Sequence, residues 1–428
     1  MGGRLSHIKK RLLGSALFKD SAWALIGNVL GKGLALLASI IVARLLGKDL
    51  FGTYGLVRTT LLNVAIFSTF GLGYTATKFI ADFATTAPGK VRGIINNILS
   101  ITITSSLIIA ASVFAFSKSL AEYLNDPTLY LSLRYLSVII IFNAITTTQI
   151  GILSGFKKFK ALARINLLNG AVTFILSVVL TYFYALNGAL IALIISQVYN
   201  CIQNSYEVKR SIAEFPHQAT NNTKEIVQFS MPIAMQEMVY SLTSFLLPVI
   251  LVRLSSIGEL GLYNAASQWS SVVLFIPGTL RNVILSHISG DTTNKEHQHK
   301  TVERMLWVNL ASTLAPFLVV YLFTSLIVSM YGDTFAALGD VLRIGVFSTI
   351  FICMSNVITQ YFIALNKVWL TFTTRLLRDS LIIILTAAGL RYLPNFSGAI
   401  IVSYVTVIVS VIVFVIYFVL YRLEAKSK

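Results

Sequence analysis

The chain has 428 residues, of which 56% are hydrophobic and only 12% are charged, and its mean hydropathy is +0.77. Soluble domains carry roughly 25% charged residues, so this composition excludes a soluble globular protein and indicates an integral membrane protein. The formal net charge of +17 does not indicate a nucleic-acid partner, because the basic residues separate apolar runs of about 20 residues and therefore mark membrane loops.

Apolar segments of at least about 18 residues predict membrane helices. We predict about twelve of them, joined by short connections, and hence an all-α integral membrane protein. The predicted spans are 21–43, 52–77, 93–116, 130–153, 162–183, 187–207, 228–252, 262–287, 304–330, 338–363, 369–390 and 397–421.

The Lys and Arg residues between these spans predict the orientation of the chain, since cytoplasmic loops carry an excess of both. An N-terminus in the cytoplasm places most basic residues inside, by about four to one. This assignment puts Lys367, Arg375 and Arg378 in the cytoplasm or at its interface. We therefore predict a multi-pass protein whose two termini are both cytoplasmic.

A short pattern occurs twice in the chain. Arg44, Gly52 and Tyr54 reappear as Arg253, Gly261 and Tyr263, each 209 positions later (253 − 44). A weaker match at an offset of 210 pairs Lys157 with Lys367. Repeats separated by an even number of spans share their orientation. We predict two six-helix bundles related by pseudo-two-fold symmetry, covering 1–207 and 228–428, with 208–227 as a cytoplasmic linker.

Four ionisable residues are the candidates for charges at membrane depth: Lys32, Arg58, Glu237 and Arg281. Charges at membrane depth are costly and mark functional sites by default. Three of the four are cations, which favours an anionic substrate, and Asn28 shares a helix face with Lys32. The alternative is that Arg58 and Arg281 extend to the membrane interfaces.

Glu237 has two interpretations from the sequence. It could couple transport to H⁺ or Na⁺, or it could be the counter-ion of a neighbouring Lys or Arg. Two further pairs at i, i+4 spacing, Lys78 with Asp82 and His287 with Asp291, lie at predicted inner helix ends. They could form an inner gate, or they could be ordinary solvated helix ends.

The stretch from Leu46 to Leu56, Leu-Gly-x-x-x-Phe-Gly-x-Tyr-Gly-Leu, resembles the polysaccharide-biosynthesis flippases. That family belongs to the MOP superfamily together with MATE exporters and peptidoglycan-precursor flippases. The resemblance implies a MATE-like fold around a central cavity and alternating access in the bacterial inner (cytoplasmic) membrane. The implied cargo is an undecaprenyl-pyrophosphate-linked oligosaccharide, as for O-antigen, capsule or exopolysaccharide. Lys32, Arg58 and Arg281 fall in spans that line the cavity in such families.

Two other functions compete with this interpretation. A MATE-type cation-coupled drug exporter predicts acidic residues buried in the N-terminal bundle, and Asp20, Asp82 and Asp126 all lie at predicted helix ends. A membrane enzyme needs acid and base groups near its substrate, whereas all five histidines fall near the predicted cytoplasmic side. We therefore expect no enzymatic activity and no resident cofactor or metal. The expected partners are membrane lipid, the lipid-linked glycan, and possible polymerase and chain-length machinery.

Overall fold

The computed structural model describes residues 16–213, 215–216, 223–278, 295–365 and 367–426, and these are helices and short connections without a strand. The helices are α1 (Ala16–Thr69), α2 (Leu72–Thr86), α3 (Pro88–Ala115), α4 (Ser117–Tyr123), α5 (Tyr130–Leu136), α6 (Val138–Gly155), α7 (Phe159–Ile212), α8 (Thr223–Leu254), α9 (Ile257–Val273), α10 (Lys295–Leu322), α11 (Thr324–Tyr331), α12 (Leu338–Ala364), α13 (Val368–Tyr392) and α14 (Gly398–Lys426). The predicted all-α fold class is confirmed.

Eight helices of the described residues are long and apolar enough to cross a membrane. Two of them, α1 and α7, have 54 residues each, about 80 Å if straight, against a hydrocarbon layer of about 30 Å. Each contains one break, at Gly47 (φ 70°) and at Ala185 (φ 48°). The breaks divide each long helix into two segments, so α1 and α7 account for four of the predicted spans.

The predicted span 52–77 is not one helix. Phe70 and Gly71 both have positive φ, 45° and 67°, which ends α1 at Thr69 and starts α2 at Leu72. Glycine adopts this conformation readily, but phenylalanine does so rarely. The residue type at position 70 therefore gave no sign of the break.

The internal repeat is visible in the backbone. The break at Gly47 has its counterpart at Ser256, 209 positions later (256 − 47), which is the N-cap of α9. The N–H of Lys158 donates to the Leu153 carbonyl at the start of α7, and the N–H of Lys367 donates to the Phe362 carbonyl before α13, each at 2.9 Å. These two pairs are also 209 apart. Lys367 is thus the structural equivalent of Lys158, and not of Lys157 as the weaker match at an offset of 210 suggested.

A second repeated feature follows the third helix of each half. A short α-helix leads into a 3₁₀ turn, Pro127–Leu129 after α4 and Asp333–Phe335 after α11. The hydroxyl groups that start these short helices, on Ser117 and Thr324, each donate to the carbonyl three residues earlier. The two halves therefore follow the same local plan, although few side chains are identical.

The chain forms two compact units, one of residues 1–45 and 57–245 and one of residues 46–56 and 246–428. These units differ from the predicted bundles at 46–56 and 228–245. The predicted division at a cytoplasmic linker of 208–227 stays a prediction.

The first unit is held by apolar packing. A buried core joins α2, α3 and α6 with the ends of α7 and α8, and Ile80, Ile94, Ile98, Ile152 and Ile226 are all fully buried within it. The second unit buries the large rings of Phe51, Tyr331 and Phe335, and the indole N–H of Trp269 donates to the Tyr331 hydroxyl at 3.1 Å. Polar side chains inside an apolar core need such partners.

The two repeated glycines contact each other inside the second unit. A Cβ atom on Gly52 would collide with the Ile257 carbonyl and lie 3.1 Å from the Gly261 nitrogen. A Cβ atom on Gly261 would collide with the Lys48 carbonyl and lie 3.3 Å from the Gly52 nitrogen. Small residues allow helix backbones to approach this closely in membranes. The repeat thus marks a direct crossing of α1 and α9.

We predict that Gly52→Ala destabilises the protein by about 1–3 kcal/mol, because the added methyl group overpacks a backbone contact. Gly33→Ala is the matched control, since no atom lies within 4 Å of a Cβ built there. Thermal unfolding in detergent, followed by tryptophan fluorescence, should show a lower midpoint for Gly52→Ala only. Equal midpoints for both variants would contradict the assigned crossing.

Candidate functional site

Lys32 lies near the middle of the first segment of α1, 16 residues after Ala16 and 14 before Leu46 (32 − 16 and 46 − 32). At 1.5 Å per residue it is about 20 Å from either end. Its side chain is exposed. The Asn28 side chain, predicted to share this face, lies outside the described part of the structure.

The glycines around Lys32 attach this segment to α7. A Cβ on Gly27 would collide with Ala163, and one on Gly31 would collide with the Asn166 carbonyl. Both glycines are buried, whereas Gly33 borders open space. Gly27 and Gly31 thus allow α7 to approach α1 closely. This packing fixes the side of α1 on which Lys32 is displayed.

Arg58 lies ten residues after Lys48 and eleven before Thr69 in the second segment of α1 (58 − 48 and 69 − 58). It is therefore about 15 Å from both ends of its segment. The alternative from the sequence, that Arg58 extends to the membrane interface, stays a prediction. Arg58 is exposed, and a guanidinium at this depth is stable only in a hydrated or anionic environment.

Glu237 is half-buried on the side of α8 that packs against α1 and α2. Before it, the hydroxyls of Ser230 and Thr75 are 2.7 Å apart. After it, the Ser241 hydroxyl donates to the Asn63 carbonyl at 2.7 Å. These contacts run antiparallel and place Glu237 between them in the first unit.

The position of Glu237 bears on its predicted role as a counter-ion. Arg58 lies beyond the Ser241 contact, about 13 Å from the level of Glu237 along the helix axes. Within the described ranges, Glu237 makes no ion pair. Arg281, the remaining predicted cavity cation, lies outside the described residues. Arg58 is therefore not the counter-ion of Glu237.

The predicted inner gate is described only in part. Lys78 and Asp82 are exposed on α2, and the Lys78 ammonium lies 4.2 Å from the centre of the Phe229 ring. A cation at that distance from an aromatic face is attracted to it. His287 and Asp291 lie outside the described residues. A role for these four residues in gating stays a prediction.

The sequence interpretation missed a charged cluster in α13. Arg378 and Asp379 lie ten and eleven residues after Val368, about 15 Å into a helix, and the expected position of Arg378 at the cytoplasmic interface stays a prediction. A guanidinium nitrogen of Arg378 is 2.7 Å from Oδ1 of Asp379, and Nε of Arg375 is 4.0 Å from Oδ2. Asp379 is 3% exposed. The available signal was an acidic residue, Asp379, close to two arginines inside a predicted span.

Both predicted substrate cations that the structure describes belong to the first unit, and so does Glu237. The Arg378–Asp379 pair belongs to the second. The two groups differ chemically. Asp379 is neutralised within its own helix, whereas Arg58 has no ion-pair partner in the described part of the chain. Arg58 is the better candidate for meeting a charged substrate.

A family model described as polysaccharide biosynthesis protein matches residues 17–280. The match includes Lys32, Arg58 and Glu237 and ends one residue before Arg281. No curated protein matches the chain.

Several solved membrane transporters share the fold. An inward-facing multidrug resistance MATE family transporter of the MOP superfamily is 14% identical, with a TM-score of 0.78 over 93% of this chain and 96% of that one. The lipid II flippase MurJ in an inward closed conformation is 15% identical, with a TM-score of 0.74 over 95% and 87%. A MOP superfamily transporter from Pyrococcus furiosus is 14% identical, with a TM-score of 0.65 over 95% of each chain. At these identities the likeness shows the fold alone.

We predict that Asp379→Asn destabilises the protein by about 1–3 kcal/mol, because a buried carboxylate loses its charge-assisted hydrogen bond to the partly exposed Arg378. Glu424→Gln is the matched control. Glu424 pairs at 2.5 Å with Lys367, and both side chains are more exposed, at 28% and 42%. Exposed pairs contribute about 0–1 kcal/mol. Thermal unfolding midpoints in detergent should therefore fall clearly for Asp379→Asn and little for Glu424→Gln, and the reverse order would refute the burial argument.

Proposed function

Because the chain belongs to the polysaccharide biosynthesis protein family, we propose that it translocates anionic, lipid-linked oligosaccharides across the bacterial inner membrane. The proposed cargo is an undecaprenyl-pyrophosphate-linked repeat unit for O-antigen, capsule or exopolysaccharide. The observation that carries the proposal is the presence of two exposed cations, Lys32 and Arg58, at mid-length of helices in one compact unit. The protein acts as a transporter and not as an enzyme.

The chemistry of the two cations suits a diphosphate. Arginine presents paired donors to phosphate oxygens, and lysine supplies a compact charge. At membrane depth, both cations gain more from an anion than they would in water, because the local dielectric constant is lower. Asn28 and Arg281 complete the proposed set of substrate-binding residues. A site with few cationic contacts also binds weakly enough to release its cargo on the other side.

In the proposed transport cycle, the diphosphate enters from the cytoplasm and exchanges part of its hydration for Lys32 and Arg58. The polyprenyl chain stays in lipid while the glycan crosses through the hydrated site. Alternating access then opens the site to the other side, where polymerase and chain-length machinery would receive the glycan. The gate would include Lys78 and Asp82, with His287 and Asp291 as the equivalent pair.

The energy source in this proposal requires no resident cofactor. Export of negative charge gains about 2.3 kcal/mol per charge at 100 mV of membrane potential. Coupling to H⁺ or Na⁺ would use Glu237, which lies half-buried at mid-length of α8. A carboxylate in such a position can exchange a proton or bind a cation as its environment changes.

A MATE-type multidrug exporter is the alternative. The shared fold supports it, and Glu237 is an acidic residue within the first unit. However, the described mid-helix charges of that unit include two cations, which repel the cationic compounds that such an exporter would carry. The family match also favours a glycan-related cargo.

We predict that Arg58→Ala lowers translocation of the lipid-linked oligosaccharide by about tenfold or more, because it removes charge-assisted hydrogen bonds worth about 1.5–3 kcal/mol. Lys32→Ala should act in the same direction. Arg58→Lys should retain part of the activity, since it keeps the charge but loses the paired donors. The measurement is the amount of lipid-linked oligosaccharide on each face of the inner membrane, at equal protein abundance.

The control is Lys118→Ala, which removes an exposed cation near the start of α4 and should leave both pools unchanged. If deletion of the protein leaves the outer pool intact and changes drug or cation efflux instead, the exporter replaces the flippase. If Arg58→Ala and Lys118→Ala behave alike while deletion traps the cargo inside, the assigned site is wrong although the function holds.

A further inference from the structure

A basic cavity of about 790 Å³ lies in the first unit and shares the first segment of α1 with Lys32. It is formed by the early part of α1 and by the two ends of α7, at residues 158–168 and 203–210. Its lining includes four cations, Lys158, Lys160, Arg164 and Arg210, and one carboxylate, Glu207. The cavity therefore carries a formal charge of +3 (4 − 1).

The four cations keep their donors available. In the part of the chain that the structure describes, none of them makes an ion pair with Asp or Glu. α7 begins beside them, and its N-cap, Lys158, provides no side-chain acceptor for the N–H groups of the first turn. The unpaired N–H groups at the start of a helix carry partial positive charge and therefore favour an anion. Charge and backbone thus indicate an anionic ligand.

The rest of the cavity wall is apolar. Leu30 and Leu168 line it with 48% and 37% of their surfaces exposed, and Tyr206 lines it with 68% exposed. Such side chains on a membrane protein suit contact with acyl chains, and tyrosine is typical of the headgroup level. The cavity therefore combines a basic end with apolar sides, which is the pattern that an anionic amphiphile requires.

The cavity is not the proposed translocation site. Leu30 and Lys32 are two residues apart on α1, and at 100° per residue their side chains point about 200° apart. Gly27 packs against Ala163 on the cavity side. The predicted orientation places 157–164 and 209–210 at the cytoplasmic face. These observations favour a lipid of the cytoplasmic leaflet over cargo that is crossing the membrane.

We propose that this cavity binds the headgroup of an anionic phospholipid from the cytoplasmic leaflet. Its phosphate contacts Lys160, Arg164 and Arg210, and its acyl chains lie along Leu30 and Leu168. Basic pockets between membrane helices on the cytoplasmic side recognise such headgroups. The proposal does not depend on the identity of the transported cargo.

The test uses the purified full-length protein in nanodiscs of phosphatidylcholine with or without phosphatidylglycerol, and native mass spectrometry to count the lipids that it retains. The wild type should retain phosphatidylglycerol in preference to phosphatidylcholine. The double variant Lys160→Gln/Arg164→Gln should weaken that preference by about tenfold or more. Each of the two cations contributes to the attraction for the anionic headgroup, and the variant removes both. Lys90→Gln/Arg92→Gln, the matched control, makes the same change of charge in α3 and should retain the preference.

Two results would overturn the proposal. One is an equal loss of preference in the control variant, which would mean that net charge and not this cavity selects the lipid. The other is a double variant that keeps its phosphatidylglycerol but loses retention of added undecaprenyl diphosphate, which would identify the cavity as a docking site for the carrier lipid. Both double variants should show unfolding midpoints near that of the wild type in phosphatidylcholine, so that a folding defect is recognised.

Discussion

The close crossing of α1 and α9 is the contact that the second unit depends on. In a membrane, helices gain little from apolar burial, so their association relies on close packing. Gly52 and Gly261 bring two backbones together where any side chain would separate them. Further along the same helices, Gly55 packs against the Asn264 side chain, and Gly258 packs against Asp49. The crossing also explains why 46–56 belongs to the second unit although it lies early in the chain.

The ionisable residues follow from the same constraint. An apolar surrounding tolerates a charge only if the charge is neutralised or hydrated. In the Arg378–Asp379 pair the two charges neutralise each other, and adjacent residues of one helix supply them. Arg58 is exposed instead and makes no ion pair among the described residues, which fits a hydrated site that binds an anion. A residue that is neutralised internally stabilises one structure, whereas an exposed cation remains available to a ligand.

Much of the fold could be predicted from the sequence because membrane helices produce long apolar runs. Runs of about 20 apolar residues and a repeated Gly-x-Tyr pattern predicted the helices and the repeat, and the glycine contact explains why those residues recur. The break at Ala185 falls between the predicted spans 162–183 and 187–207, whereas the break at Phe70 was not predicted, since phenylalanine rarely adopts positive φ. The Arg378–Asp379 pair was missed because the topology argument counted only Lys and Arg. The predicted span 369–390 already agreed with the start of this helix at Val368 to within one residue.

α1 connects the proposed substrate site with the basic cavity. Lys32 and Leu30 lie on nearly opposite sides of its first segment, and Gly27 and Gly31 hold that segment against α7 by contacts with Ala163 and Asn166. Since these contacts hold the two backbones close together, we expect a movement of this segment to displace α7 as well. A lipid held by the ends of α7 would then favour whichever position of α1 keeps the cavity intact. Any such bias is limited to the difference in lipid affinity between the two positions, so a loosely held lipid adjusts the transport rate without blocking it.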